Sequence, residues 1–311
     1  MLTAELPFLA LLLAHLAVAI FVPPFLFGII AKVKALVAGR KGPPLIQSYR
    51  NIAKLLKKQI VLSMTTTWAF LAGPIALVVT GLGISMVIPM GGTESPFGFS
   101  GDMIFVAYLL GMSRFMSVLA SLDTGNSFEG LGAARDATWS ALAEPALFLG
   151  MGAIAFFSGH TSLGPAFFAV GSTWGNASGP FILVLAGWSI VFLVENSRIP
   201  FDDPAGHLEL AMVHEVMLLD HSGPLRAFAI YGASLKLLVT GTLLVRICLP
   251  IKSVWWLDWP AYFGGLALLA LFIGLLESVL ARMRLIRVPQ LLVAAILACT
   301  FGFLLLFLEP K

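Results

Sequence analysis

Between Glu195 and Asp220 the chain carries six carboxylates, Glu195, Asp202, Asp203, Glu209, Glu215 and Asp220, although only 11% of all its residues are charged. Acids gathered beside apolar stretches suit the taking up and releasing of protons, because burial raises a carboxyl pKa and a neighbouring cation lowers it again. Glu144 and Glu277 lie near the ends of other apolar stretches, and Arg114, Lys236 and Arg246 lie inside them. Lys236 follows Pro224 by twelve residues, which on a helix is ~18 Å, close to mid-membrane. A charge there costs ~3 kcal/mol even on the gentler insertion scale, so such residues point to function. Static ion pairs that staple helices together are the plainer alternative. Asp202 and Asp203 also have an ordinary use, as caps and solvated surface.

His207, His214 and His221 recur every seven residues. On a helix that spacing is a rise of ~10.5 Å, too far for two rings to share an ion, so no metal site is expected. The cysteines, Cys248 and Cys299, fall at different depths and form no disulfide. Iron–sulfur clusters usually take four thiolates, so any redox centre belongs to other chains.

The elements that must position these groups follow from composition. With 59% hydrophobic residues and a mean hydropathy of +0.96, the chain has too much apolar surface for a water-soluble core. Eight apolar stretches suit spanning helices: Phe8 to Ile30, Trp68 to Ile88, Met103 to Ser121, Leu142 to Phe157, Phe181 to Val194, Ala227 to Leu249, Ala261 to Leu280 and Val288 to Leu308. Each must approach the roughly 20 residues that cross a bilayer, and the fourth and fifth are short enough to call for tilt, a break or extension. No dyad alternation suggests a barrel. The expected fold is all-α, one integral membrane domain over residues 1–311 with a polytopic bundle of about eight transmembrane helices.

Met1 to Pro7 carries no basic residue and the first apolar run ends in Lys32 and Lys34 rather than a cleavage site, so this run reads as the first span. The connection that follows holds Lys32, Lys34, Arg40, Lys41, Arg50, Lys54, Lys57 and Lys58 with no acid. The positive-inside rule puts it in the cytoplasm, with cytoplasmic connections at about 31–67, 122–141, 195–226 and 281–287 and both termini outside. Arg282, Arg284 and Arg287 then fall inside, against Lys252 and Lys311 outside. The net charge of +3 thus reads as topology, with anionic lipid or a partner as the alternative and no nucleic acid expected. Leu45, Tyr49, Ile52 and Leu56 share one face of an amphipathic surface helix opened by Gly42-Pro43-Pro44. That helix suits an interfacial anchor or a docking platform. A second short helix is expected from Pro204 toward Leu219, capped by Asp203, with Glu209 and Asp220 on one face.

Several motifs resemble one family: Arg40-Lys41-Gly42-Pro43, the helix from Gln47 to Leu56, Leu122-Asp-Thr-Gly-Asn-Ser-Phe128, Gly132-Ala-Ala-Arg-Asp136, Ala143-Glu-Pro145, Pro200-Phe-Asp202, Ser222-Gly223 and Ser234-Leu-Lys236. They resemble the membrane subunit shared by respiratory complex I, where it is subunit 1, and membrane-bound nickel–iron hydrogenases. The Leu-Asp-Thr-Gly, Glu-Pro and Ser-Leu-Lys motifs are most similar to the formate hydrogenlyase subunit 4 and hydrogenase-4 component C branch. The resemblance implies a joint between a cytoplasmic electron-transferring arm and antiporter-like membrane subunits. It implies partners holding iron–sulfur clusters, a hydrogenase-like large subunit and an iron–sulfur small subunit, with nickel–iron as an option. Its acidic path would take in Glu144, Glu195, Asp202 and Glu209, while Asp220-His221 stands where the family usually has Glu-Tyr.

The resulting expectation is a membrane-anchor and proton-coupling subunit of a hydrogenase or formate hydrogenlyase type of complex, in a bacterial or archaeal cytoplasmic membrane. The chain itself has no redox centre. The expected coupling residues are Arg114, Glu144, Glu195, Asp202, Glu209, Glu215, Asp220 and Lys236. The expected partner contacts are Arg40, Gly42, Pro43, Tyr49, Arg50, Lys54, Asp123, Arg135 and Asp136. A quinone-site subunit of a complex I-like enzyme, a stand-alone proton-coupled transporter and a purely structural anchor remain as alternatives.

Overall fold

The computed structural model describes residues 8–91, 94–173, 178–202, 212–249 and 255–308. Among these the regular elements are helices: α1 (Phe8–Val37), α2 (Gln47–Leu56), α3 (Trp68–Val87), α4 (Asp102–Asp123), α5 (Ser127–Ser158), α6 (Leu163–Thr173), α7 (Ser178–Glu195), α8 (Gly223–Cys248), α9 (Trp255–Val279) and α10 (Val288–Leu308). Each of the eight apolar stretches forms a helix. Seven of the described helices are long and apolar enough to cross a membrane, and α7 is a shorter apolar helix. The amphipathic surface helix is α2.

The centre of the bundle is α8, with 72% of its apolar window buried between α1, α2, α3, α7 and α9. Small residues bring α3 and α8 together, as in membrane bundles generally. A Cβ added to Gly232 would lie 2.6 Å from Leu77 Cβ, and one on Gly81 would lie 2.9 Å from Leu235 Cβ.

Prolines inside α1 and α3 remove backbone donors that nothing in lipid can replace. Pro23 frees the carbonyl of Ala19, and the Tyr231 hydroxyl donates to it at 2.9 Å. Pro74 frees the carbonyl of Phe70, and His221 Nε2 lies 3.3 Å from it. Tyr49 donates to the nearby carbonyl of Phe21 and ties α2 to α1.

Three details differ from the expected elements or add to them. The connection expected at 122–141 is nearly all helix, because α4 runs to Asp123 and α5 starts at Ser127. Asn126 accepts the Phe128 amide at 3.0 Å and caps the new start, and the alanine-rich segment after it favours helix while its charges hide it from a hydropathy scan. The helix expected from Pro204 to Leu219 has its first half, with Asp203, His207 and Glu209, outside the described residues. Its second half has only a 3-10 turn at Val216–Leu218. There the backbone bonds to side chains instead: Asp202 accepts the amides of Val213 and His214 at 3.2 and 3.0 Å, and Arg226 donates to the Leu218 carbonyl. Finally, α6 has no counterpart among the expected elements.

The connections expected on one side do meet at one end of the bundle. Val61 N donates to Ser222 Oγ at 3.0 Å, Thr67 N to Asp123 at 2.6 Å, Asp220 N to Glu129 at 2.8 Å and Met283 N to the Pro200 carbonyl at 2.9 Å.

Candidate functional site

Glu195 ends α7 with its side chain 2% exposed and is shared by two cations. Arg114 of α4 bonds one carboxylate oxygen, and Lys236 Nζ of α8 lies 2.8 Å from the other. Arg114 continues to Glu144 of α5 at 3.0 Å, whose side chain is 47% exposed on the flank of the bundle. Asp136, half-buried one helical turn before Ser140, adds a further negative charge near Arg114. Arg114, Glu144, Glu195 and Lys236 are all among the expected coupling residues, and four different helices bring them together. Breaking such a network by removing one member leaves an uncompensated buried charge, a loss of order 3–5 kcal/mol in soluble proteins.

A second network lies beside it. Glu277 of α9 meets Lys34 of α1 at 2.9 Å and Arg198 at 3.4 Å. The Arg198 guanidinium also sits 4.7 Å above the Phe27 ring. Burial pushes the Arg198 pKa down, and Glu277 opposes that shift. Asp202, 2% exposed, joins its two backbone donors to Arg282 at 3.4 Å and so pins the two connections together.

Other expected coupling residues lie apart from Arg114. Glu215 pairs with Arg226 at 2.8 Å and is one-third exposed. Asp220 is exposed, and its backbone amide donates to the buried Glu129. Arg246 sits one turn past Thr242, whose hydroxyl meets Tyr262 at 2.8 Å, toward the C-terminal end of α8. Of the residues expected to face partners, Arg40, Gly42, Arg50 and Lys54 are exposed and Pro43 and Tyr49 half-buried. Asp123 spends its carboxylate on Thr67 and Phe70 at the start of α3, and Arg135 donates to the Met212 carbonyl.

Sequence reasoning passed over Arg198, Lys34 as an ion-pair partner, and Glu129. Arg198 carried a signal, a cation three residues after an acid that ends a span. Glu129 completes an Asn126-x-x-Glu129 capping-box pattern, although its carboxylate serves Asp220 rather than its own helix start.

A small half-open cleft, with room for about one water molecule, is lined by Gly73, Pro74, Leu77, Ser117, Ala120, His214, Met217, Leu218 and His221. His221 is 3% exposed and its ring stacks on Phe70 at 4.0 Å. Burial pushes its pKa down, opposed by the Phe70 carbonyl and Asp220 and reinforced by Arg226. Among the described residues no three His, Cys, Asp or Glu side chains converge as metal ligands would.

The chain as a whole matches a known family. The profile of the NADH dehydrogenase family matches residues 9–308. The chain is 34% identical over 238 residues to hydrogenase-4 component C of Escherichia coli (strain K12), covering 76% of this chain and 74% of that protein. It is 32% identical over 294 residues to formate hydrogenlyase subunit 4 of the same organism, covering 91% and 92%. An NADH-quinone oxidoreductase subunit of Rubrobacter xylanophilus is more distant, 26% identical over 187 residues, 58% of this chain and 56% of that one. A chain in the structure of the membrane-bound sulfane sulfur reductase, an archaeal respiratory membrane complex, shares the fold with a TM-score of 0.79 over 96% of this chain and 99% of that chain, at 21% identity.

Proposed function

The chain belongs to the NADH dehydrogenase family, the family of complex I subunit 1, and on that premise we propose that it couples electron transfer in a hydrogenase or formate hydrogenlyase type of complex to ion movement across the membrane. The observation that carries the reading is Glu195, buried between Arg114 and Lys236 with Glu144 at the far side of Arg114. Such a carboxylate changes its proton affinity whenever either cation moves or a charge appears nearby. Redox change in a partner thereby becomes proton movement in this chain. The end of the bundle that carries the basic connections faces the cytoplasm, and α2 with the Asp202 to Ser222 connection meets the electron-carrying arm. Iron–sulfur clusters, and nickel–iron where it is kept, belong to that arm, and antiporter-like membrane subunits adjoin the bundle.

The test uses the assembled complex in native membranes. In Glu195→Gln and Lys236→Met variants, electron transfer should survive at a reduced rate while ion translocation is lost. Normal assembly with full translocation overturns the reading.

The likeness to an NADH-quinone oxidoreductase subunit favours a second reading, a quinone-reducing complex. Stoichiometric quinone in the purified complex, or inhibition by quinone-site compounds, would select it.

A further inference from the structure

Glu129, in the first turn of α5, is 0% exposed. None of the ion pairs among the described residues includes it. Its Oε1 accepts the Asp220 amide at 2.8 Å, whereas Oε2 is buried without a hydrogen-bond partner. The Thr124 hydroxyl lies beside the carboxyl, but it gives its proton to the Ser121 carbonyl at 2.8 Å. Toward Glu129 it can therefore only accept. An ionised carboxyl here would be a buried charge with one oxygen turned to another acceptor, which is costly. A neutral acid fits the same contacts, with the proton on Oε2 aimed at Thr124 and Oε1 keeping the Asp220 amide.

What this acid holds is the irregular connection after residue 212, which docks along the first turns of α5. A Cβ on Gly132 would come within 2.9 Å of the Val213 carbonyl, and Arg135 donates to the Met212 carbonyl at 3.4 Å. With only a 3-10 turn of its own, the connection is also fixed by Asp202 at Val213 and His214, by Arg226 at Leu218 and by Glu129 at Asp220. Asp202 is paired with Arg282 and Arg226 with Glu215, so Glu129 is the one of these three held without an opposite charge. Around it stand Asp220 and His221 of the connection, Arg226 of α8 with Glu215, Asp123 at the end of α4, and Arg135 and Asp136 farther along α5.

We propose that Glu129 is a proton-carrying latch of the coupling machinery. As a neutral acid it ties the connection to the junction of α4 and α5. When the electron-carrying arm displaces the connection, Glu129 gives its proton to the entering water and becomes a carboxylate, and renewed docking takes one proton back. The displacement by the arm rests on the coupling role proposed above, whereas the neutral acid of the docked chain stands on its own contacts. Because only the neutral form fits the docked connection, docking is complete at low pH and weakens as pH rises.

Two measurements on the assembled complex test this. Hydrogen exchange over residues 212–222, relative to intrinsic rates, should quicken between about pH 6 and 8 in the wild type and stay level in Glu129→Gln. Glutamine keeps an acceptor for Asp220 and a donor for Thr124 but does not titrate. Infrared difference spectra between the oxidised and reduced complex should show a change in the carbonyl band of a protonated carboxylic acid, and Glu129→Gln should lose it. Equal exchange slopes in wild type and Glu129→Gln overturn the latch, whatever the fate of the coupling role. A slope lost in Glu129→Gln without a redox-linked band overturns the link between the latch and the arm. If Glu129→Gln fails to assemble, Thr124→Val decides: it removes the acceptor of the acid proton and should flatten the slope, and an unaltered slope overturns the latch.

Discussion

His221 illustrates at residue scale how one side chain can serve packing and chemistry together. Its ring fills the hydrogen bond that Pro74 removed from α3, and burial lowers its pKa from the usual 6.5. The sign of the resulting pH effect is fixed: the unfolded chain takes up the proton first, so stability is complete above about pH 6.5 and declines as pH falls below it toward the lower folded value. Thermal melts of the purified protein between pH 5 and 8 should show this decline, and His221→Phe should lose part of it. An identical slope in both proteins would refute the argument. At Glu195 the expected outcome differs in kind. Replacing Arg114 by Leu strands a buried carboxylate that Lys236 alone must hold, so Arg114→Leu should reduce the folded yield more than Arg114→Leu/Glu195→Gln together, read as monodisperse protein after extraction. Equal yields would mean that the pair stores no coupling energy.

At the scale of elements, the breaks in α1 and α3 explain why surface and core helices dock where they do. Tyr231→Phe leaves the Ala19 carbonyl unsatisfied in the bundle, a loss of ~1–3 kcal/mol, and should lower the melting temperature without moving the pH dependence of activity. An unchanged melting temperature would show that another donor, such as water, takes over. These docking points also mark the limit of what the chain reveals on its own. The apolar stretches were legible because lipid demands about 20 residues of them, and Arg114, Glu144, Glu195 and Lys236 stood out because charge inside them is costly. The start of α5 was not legible, since Glu129, Arg135 and Asp136 mask a helix that needs no lipid. The irregular backbone at residues 212–220 was not legible either, because it depends on Asp202 and Arg226 supplying bonds from a distance. The seven-residue spacing of His214 and His221 would align them on one face of a helix. They do share a cleft, but through a turn rather than a helix.

For the whole molecule, the distribution of exposure around the buried network points to the side on which the proposed neighbouring membrane subunit would lie. Glu195 is sealed at 2% exposure while Glu144, tied to it through Arg114, stands 47% exposed on the flank formed by α4 and α5. Around it Tyr108, Met112, Phe115 and Phe148 are also exposed, a surface that suits lipid except at the carboxylate itself. An ionised group presented to hydrocarbon costs ~3 kcal/mol even on the gentler scale, and among the described residues no helix covers it. A neighbouring membrane subunit placing a cation or a protonatable acid against Glu144 would offset that cost and extend the network sideways out of this chain. A photo-reactive amino acid at Met112 or Phe148 in the assembled complex should therefore cross-link to a second membrane subunit, and the same probe at Phe301 on α10, exposed on a helix that carries none of the network, should react mainly with lipid. Cross-links confined to lipid at Met112 and Phe148 would leave Glu144 facing the bilayer and would remove the lateral exit from the coupling route.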